Sequence, residues 1–253
     1  MSHPSVHLDL REGNYWATLA RPHVLNAFDE TLLRDLADVL NEIRDSARPL
    51  IFTGAGRAFS AGGDLKAYLA KVEDRDALES YFLLLAEVLT NIIDYAGVTI
   101  AAVNGVAAAG GLELMCVCDL AVATESARFA DAHINYGLHP GAGASGLLSH
   151  MIGERRARWL LLSGEFIDAV EAERIGLVNR VVADGELEPA ANAMAHAISR
   201  HSIPAVKRIK KLIRPEIEQV LRAERESLLA HFRDPETRSR LAGFADRSKN
   251  RQG

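Results

Sequence analysis

Aromatic residues make up only 6% of the 253-residue chain, and cysteine occurs twice. Basic residues are in deficit: 29 Lys and Arg face 34 Asp and Glu, for a formal net charge of -5. Each scarcity excludes something. A slightly acidic chain lacks the basic face that sequence-independent nucleic-acid binding requires, so no nucleic-acid partner is expected. No apolar run approaches the ~18 residues of a membrane-spanning helix, so no membrane partner is expected either. Met1–Ser5 lacks the basic and apolar regions of a signal peptide. Cys116 and Cys118 stand too close for an ordinary disulfide, and no second Cys/His cluster completes a zinc site. A reducing, cytoplasmic setting follows as the expectation. What remains is 48% hydrophobic and 25% charged. A globular chain of this size buries about 70–75% of its unfolded surface.

The apolar pattern changes along the chain. Val6–Leu10 and Tyr15–Ala20 read as strands. Leu32, Leu33, Leu36, Val39, Leu40 and Ile43 recur at helical spacing, with Asp29 placed to cap that helix. Pro49–Thr53 reads as a short buried strand closed by Gly54, and Leu78, Phe82, Leu85, Leu89 and Ile92 mark a long helix. Val98–Val103 is a further buried strand, followed by a Gly/Ala-rich turn, a short helix over Leu112–Cys118 and strand Leu120–Thr124. This alternation implies α/β layers. After about Val182 the strands stop. Glu188–Arg200, Pro204–Ile213, Pro215–Phe232 and Pro235–Lys249 read as helices with prolines near their starts. The chain divides accordingly into an α/β core over 1–195 and a helical region over 196–253. That polar region is too short to hold its own core. It is expected to pack on the body or on another subunit, with a solvated charged tail as the alternative.

Three segments can carry chemistry. Gly54–Lys66 is glycine-rich and follows a buried strand. It is no dinucleotide fingerprint, because the third glycine would fall at Phe59, and no P-loop, because no Gly-Lys-Ser/Thr follows. Its glycines let backbone N–H groups approach a ligand closely, or simply make a tight turn. In Ala102–Leu114 a strand runs through small residues into a helix whose N-terminus suits a developing oxyanion. Glu113 is the unusual feature on that apolar helix. A half-buried carboxylate there would have a raised pKa, or would only favour the helix dipole. Phe129–Gly143 carries His133 and His139 before a Pro-Gly turn. Gly143-Ala144-Ser145-Gly146-Leu147 lacks the second glycine of a nucleophile elbow, which argues against a serine hydrolase.

In order and spacing these segments resemble the enoyl-CoA hydratase/isomerase family, the crotonase superfamily, over nearly the whole chain. The resemblance runs from Arg21-Pro22 and Leu25-Asn26-Ala27-Phe28 through Phe59-Ser60-Ala61-Gly62-Gly63-Asp64-Leu65. It continues at Ala102-Val103-Asn104-Gly105, Gly110-Gly111-Leu112-Glu113-Leu114 and Cys118-Asp119. Gly137, Pro140-Gly141-Ala142-Gly143 and Ile175-Gly176-Leu177-Val178-Asn179 complete it. The resemblance implies an α/β, crotonase-like spiral of β-β-α repeats with a helical C-terminal trimerisation region. A homotrimer or a hexamer built as a dimer of trimers is the expected assembly, and an acyl-CoA thioester the ligand. The N–H groups of Gly63 and Gly110 would form the oxyanion hole. Ala61, Gly62, Gly63, Asp64 and Leu65 would hold the CoA adenine, with Lys66 and Arg21 as candidates for its phosphates or as plain surface charge.

The resemblance does not determine the reaction, because this fold hosts hydration, isomerisation, decarboxylation, hydrolysis and dehalogenation. Typical hydratases use two glutamates. One matches Glu113; the position of the other is occupied by His133. A histidine can exchange a proton near neutral pH, so the Glu113/His133 pair could still hold a water. Beside a protonated histidine the glutamate's pKa would be lowered. Hydration of a trans-2-enoyl-CoA to a 3-hydroxyacyl-CoA by a hydratase-like lyase is the leading expectation. Decarboxylation or double-bond isomerisation of an acyl-CoA, or non-catalytic acyl-CoA binding, are the alternatives. His139 remains an alternative to His133 as the ligand-facing histidine. No metal and no separately bound cofactor is expected, CoA arriving as part of the substrate. Cys116, Cys118 and Trp159 read as packing residues; Leu69, Tyr81 and Phe82 are candidates for the acyl pocket or for the core.

Overall fold

A computed structural model describes residues 3–213 and 217–249. β1 (Val6–Arg11) and β2 (Asn14–Leu19) form a hairpin with Arg11 opposite Asn14. Its two-residue turn, Glu12-Gly13, has φ of 48° and 81°, the left-handed pair that matches strand twist. α1 (Glu30–Glu42) starts where Asp29 accepts the N–H of Leu32, and it buries the stripe Leu32, Leu33, Leu36, Val39 and Leu40. Next come β3 (Leu50–Gly54), β4 (Ala58–Ser60), α2 (Leu65–Lys71) and α3 (Arg75–Asp94). β5 (Thr99–Val103), β6 (Val106–Ala108) and α4 (Gly110–Val117) follow. Then come β7 (Leu120–Thr124), β8 (Arg128–Ala130), α5 (Ala144–Ile152) and α6 (Glu154–Ser163). β9 (Ile167–Asp168), α7 (Ala169–Arg174) and β10 (Arg180–Val182) close the α/β part.

The strands sort into two sheets in the order β1-β2-β3-β5-β7-β10 and β4-β6-β8-β9. Each of β3, β5 and β7 lies in the larger sheet, and the strand that follows it, β4, β6 or β8, lies in the smaller one. Two such strand pairs run on into helices, β4 into α2 and β6 into α4, which makes the β-β-α spiral. At the bend after β5 a Cβ on Gly105 would overlap the Arg57 carbonyl, so the close chain approach there requires glycine. β4, β6, β8 and β9 span only two or three residues each and were not separable from turns in the sequence pattern. Alternation decides which core each side chain enters. Ala101 and Val103 face the main core, while Ile100 and Ala102 join Trp16, Val122, Ala191 and Ala195 in a second core under α8 (Leu187–Ser199).

α9 (Ile203–Ile213), α10 (Ile217–His231) and α11 (Pro235–Lys249) complete the chain. Pro215, read as a helix start, lies outside the described residues, as do residues 250–253 of the helical region. The 195/196 division falls inside α8, which packs on the larger sheet. The later helices dock on the body. Leu221, Leu228, Phe232 and Leu241 are buried in the main core. Lys210 is buried as well, paired with Asp119 at 2.8 Å and donating to the carbonyls of Tyr95 and Gly97.

One side chain ties the first helical connection to the loop after β3. Asn26 is fully buried, with φ 55°. Its Nδ2 donates to the carbonyls of Ala55, Ala58 and Phe59 at 3.0, 2.8 and 3.2 Å, and its Oδ1 accepts the Arg21 N–H at 2.9 Å. Asn26→Ala strands these partners and places a Cβ residue without a compensating hydrogen bond in left-handed backbone. It is expected to destabilise the protein by about 2–4 kcal/mol in urea unfolding. A loss under about 1 kcal/mol would show that other contacts hold this loop.

Candidate active site

Two backbone segments meet after β4 and β6. Ser60, fully buried, donates its hydroxyl to the Asn26 carbonyl at 2.9 Å and accepts the Gly62 N–H at 3.1 Å. The Phe28 N–H donates to the Gly62 carbonyl and the Asp64 N–H to the Phe28 carbonyl, at 2.7 and 2.9 Å. Gly62 has φ 89°, and a Cβ there would sit 2.5 Å from the Gly110 nitrogen. Gly63, between these clamped residues, borders the cleft, and a Cβ on it would overlap the Tyr68 hydroxyl. From the other side, Ala109 at φ 47° turns the chain into α4. Gly110 is the first residue of α4, so its N–H has no carbonyl one turn back. A Cβ on Gly110 would come within 3.4 Å of the Gly63 nitrogen. The two amide segments therefore stand together at a helix N-terminus, an arrangement that suits an oxygen gaining negative charge.

Glu113 lies in the first turn of α4 and is only 2% exposed, so it is fully rather than half buried. Oε1 accepts the N–H groups of Ala142 and Ala144 at 2.8 and 3.3 Å. Oε2 lies 3.8 Å from His133 Nε2. Burial pushes the Glu113 pKa up to about 7; the His133 charge pulls it back, and Glu224 and Asp131 push it further up. The lowering expected beside a protonated histidine is thus outweighed by desolvation. His133 follows Ala132, whose φ of 47° turns the chain into a short 3-10 segment, His133–Tyr136. Its Nδ1 lies 3.1 and 3.2 Å from the two oxygens of Asp131, which is fully buried. Burial pulls the imidazole down, but the charge and hydrogen bond of Asp131, with Glu113 and Glu224, raise it to about 9.

Glu224 and Asp131 were missing from the sequence reading. Glu224, on α10, accepts the Gly143 and Ser145 N–H groups at 2.5 and 2.8 Å and the Ser145 hydroxyl. Gly143 caps α5 without a side chain of its own, so carboxylates from α4 and α10 satisfy the free donors at that helix start. The available signal was spacing. Glu224 falls three residues after Leu221 and four before Leu228, on the buried face of α10. Asp131 stood two residues before His133 and could have been read as its partner.

A cleft of about 290 Å³ opens beside these groups, lined among others by Gly63, Lys66, Tyr68, Ala109, His133 and Leu138. Ala61, Asp64 and Leu65 also line it, whereas Gly62 packs behind, against Gly110. Arg21 is absent from the lining. Its guanidinium pairs with Asp29 at 2.7 Å and Asp64 at 3.8 Å and donates to the Ala27 carbonyl, so it is already partnered within the protein. His139 is turned away, its Nδ1 2.7 Å from the Pro140 carbonyl oxygen and its Nε2 3.0 Å from Ser227 Oγ. His133 is therefore the histidine beside Glu113. Tyr81 and Phe82 are buried behind the wall, where Tyr81 donates to the Phe28 carbonyl and both rings pack on Tyr68. Leu69 packs against the same core. Cys116 and Cys118 are buried thiols, and burial pushes the Cys116 thiol well up. Trp159, expected to pack, is 60% exposed.

A sequence profile of the family described as Enoyl-CoA hydratase/isomerase matches residues 12–250. The chain is 34% identical over 239 residues to a probable enoyl-CoA hydratase of Rhizobium meliloti (strain 1021), covering 92% of this chain and 91% of that protein. It superposes on the crystal structure of an enoyl-CoA hydratase from Bacillus halodurans with TM-score 0.88 and 28% identity, covering 94% and 99% of the two chains. A monofunctional enoyl CoA isomerase from M. smegmatis gives TM-score 0.70 and 35% identity over 82% and 91%.

Glu113 titrates from an ordinary 4.5 up to about 7 on folding, and His133 from 6.5 up to about 9. Both shifts are upward, so the stability they contribute is present below the unfolded values and is lost as pH rises through the folded ones. Urea denaturation is expected to show stability falling from about pH 4.5 to about pH 9, with the Glu113 part between about 4.5 and 7. Glu113→Gln should remove on the order of 1–3 kcal/mol of that fall. An equal pH dependence in both proteins would show that Glu113 does not carry it.

Proposed function

The chain belongs to the enoyl-CoA hydratase/isomerase family, and from that premise we propose that it hydrates trans-2-enoyl-CoA thioesters to 3-hydroxyacyl-CoAs. The observation that carries this reading is the 3.8 Å approach of Glu113 Oε2 to His133 Nε2 beside the paired glycine amides. The thioester oxygen accepts from the N–H groups of Gly63 and Gly110. A water held between Oε2 and Nε2 loses a proton to Glu113, and its oxygen adds to Cβ. The Cα–Cβ π electrons move through the carbonyl onto the thioester oxygen, where the two amides stabilise the enolate. Removing one donor of this kind costs about 3–4 kcal/mol in characterised enzymes. Nε2–H of His133 then protonates Cα, and transfer of a proton from Glu113 to His133 restores the pair.

CoA enters as part of the substrate, with no separate cofactor or metal. Ala61, Gly62, Gly63, Asp64 and Leu65 hold its adenine end, and Lys66 at the cleft supplies the positive charge for its phosphates. Arg21 braces Asp29 and Asp64 behind them. Among the described residues no helix is long and apolar enough to cross a membrane. A cytoplasmic location fits the two free thiols. Trp159 and Leu162 on α6 and Phe166 and Val170 around α7 are 60%, 74%, 45% and 69% exposed. Exposed apolar side chains of this kind suit burial at a subunit contact, and the assembly we propose is a homotrimer, singly or paired into a hexamer.

The direct test is loss of enoyl absorbance with crotonyl-CoA. Wild type is expected to turn over, and Glu113→Gln and His133→Ala to lose about 10²–10⁴-fold in kcat. The kcat/KM profile should fall below about pH 7, as the base Glu113 becomes protonated, and above about pH 9, as the acid His133 loses its proton. Double-bond migration in place of hydration would move the assignment to isomerisation, the activity named for the M. smegmatis relative. Saturable acyl-CoA binding with no turnover would leave a binding role. In light scattering after gel filtration, wild type should give a trimer or hexamer mass, and Trp159→Arg a smaller species. A monomeric wild type would remove the oligomer proposal.

A further inference from the structure

Asp131 is a fully buried carboxylate, and among the described residues its side chain has one hydrogen-bonding partner, Nδ1 of His133. Both oxygens are directed at that nitrogen, at 3.1 and 3.2 Å. The geometry is imposed by the backbone. Ala132 between them has φ 47°, and the His133 N–H donates to the Asp131 carbonyl at 2.5 Å, closing a tight turn that folds the imidazole back onto the carboxylate. Left-handed backbone at a residue with a Cβ costs about 1–2 kcal/mol, so the surrounding structure holds this turn against strain. A buried carboxylate needs a donor, and among the described residues Nδ1 of His133 is the one placed against it.

We infer that Asp131 is a positioning residue acting through His133: it holds Nδ1–H, so that Nε2–H points at Glu113, and it neutralises the imidazolium beside the base. The inference rests on the hydratase reading for its catalytic consequence but not for its structural one. Without Asp131 a protonated His133 is opposed only by Glu113 and Glu224, and its attraction for Glu113 weakens that base. With Asp131 the three groups carry a net charge of minus one; burial first, then Glu224, then Asp131 keep Glu113 raised next to a cation. The other groups around His133 are consistent with this. Glu113 faces it from α4 and Glu224 from α10, both acidic. Lys66 and Tyr68 share the cleft from α2, and Tyr136 lies on its own turn. From α11, Arg240 packs on Gly137 with its guanidinium paired to Glu236 at 2.8 Å. On the α6 side the turn is held through Asn135 Nδ2, which donates to the Gly164 carbonyl at 2.9 Å.

The test combines ¹⁵N-histidine NMR titration of the resting protein with the pH profile of crotonyl-CoA hydration, on wild type, Asp131→Asn and Asp131→Glu. In wild type His133 is expected to titrate above the ordinary 6.5 with Nδ1 protonated. Asp131→Asn, which keeps the shape, should lower that midpoint by about one unit or more and move the alkaline limb of kcat/KM down with it. It should reduce kcat by about 10–100-fold with KM changed less than about threefold, and Asp131→Glu should restore part of the alkaline limb. A wild-type midpoint at or below 6.5 would overturn the inference even if the variant did not fold. So would an Asp131→Asn protein whose His133 midpoint is unchanged, or one whose midpoint falls while kcat and the alkaline limb stay put. The titration needs no substrate. A wild type with no hydratase activity would count against the hydratase reading, while the NMR result would still decide the Asp131–His133 coupling.

Discussion

Glu113 is a carboxylate taken out of water and held there by backbone. Burial alone would make it a poor anion, and the cost of an unpaired charge in such a place is several kcal/mol. Its Oε1 is matched to the N–H groups of Ala142 and Ala144, which start α5, and its Oε2 is left facing His133. The same side chain therefore holds the Pro-Gly loop in place and turns its second oxygen to His133, which lines the cleft. Much of the surrounding structure serves this arrangement. α4 must begin at Gly110 to put Glu113 in its first turn, and α5 must begin beside it to supply donors.

Local conformations that an isolated peptide would avoid cluster around this group. Ala109 precedes the first residue of α4, and Ala132 precedes His133; both have φ 47°. Gly62, at φ 89°, lies close under the Gly110 nitrogen. These positions bring the Gly63 and Gly110 segments together and put the His133 imidazole at the cleft, and packing of the two sheets and their helices holds them there. Small side chains at the crossing are a consequence. A Cβ on Gly62 or Gly111 would collide with backbone, and one on Gly63 with Tyr68.

The C-terminal helices complete the site. Glu224 reaches from α10 to the start of α5, and Phe232 packs on Tyr68 and Phe82 behind the cleft wall. Lys210 anchors α9 to the body through Asp119 and two carbonyls. Acidic charge from three separate elements, α4, α10 and the end of β8, converges on His133. That convergence raises the imidazole to about 9 against its own burial, while Glu113 is raised to about 7.

The family, the α/β class, the long strands and helices, and the pairing of Glu113 with His133 were legible in the sequence. The class and the long elements follow from local causes, apolar period and capping by Asp29; the family and the Glu113/His133 pair came from the resemblance of the ordered motifs. β4, β6, β8 and β9 were not legible, because two or three residues carry no period. The exposure of Trp159 was not legible either, since an apolar residue on a helix reads the same whether it meets the core or solvent. The pairing of Arg21 with Asp29 and Asp64 was likewise not legible, because the fold brings these residues together. Only the tertiary structure decided that Glu113 is raised and not lowered, because desolvation and the charges of Asp131 and Glu224 depend on what packs around a residue. The sequence by itself determined which chemical groups are present and in what order; which of them are buried together, and hence which proton each one holds, came from long-range packing.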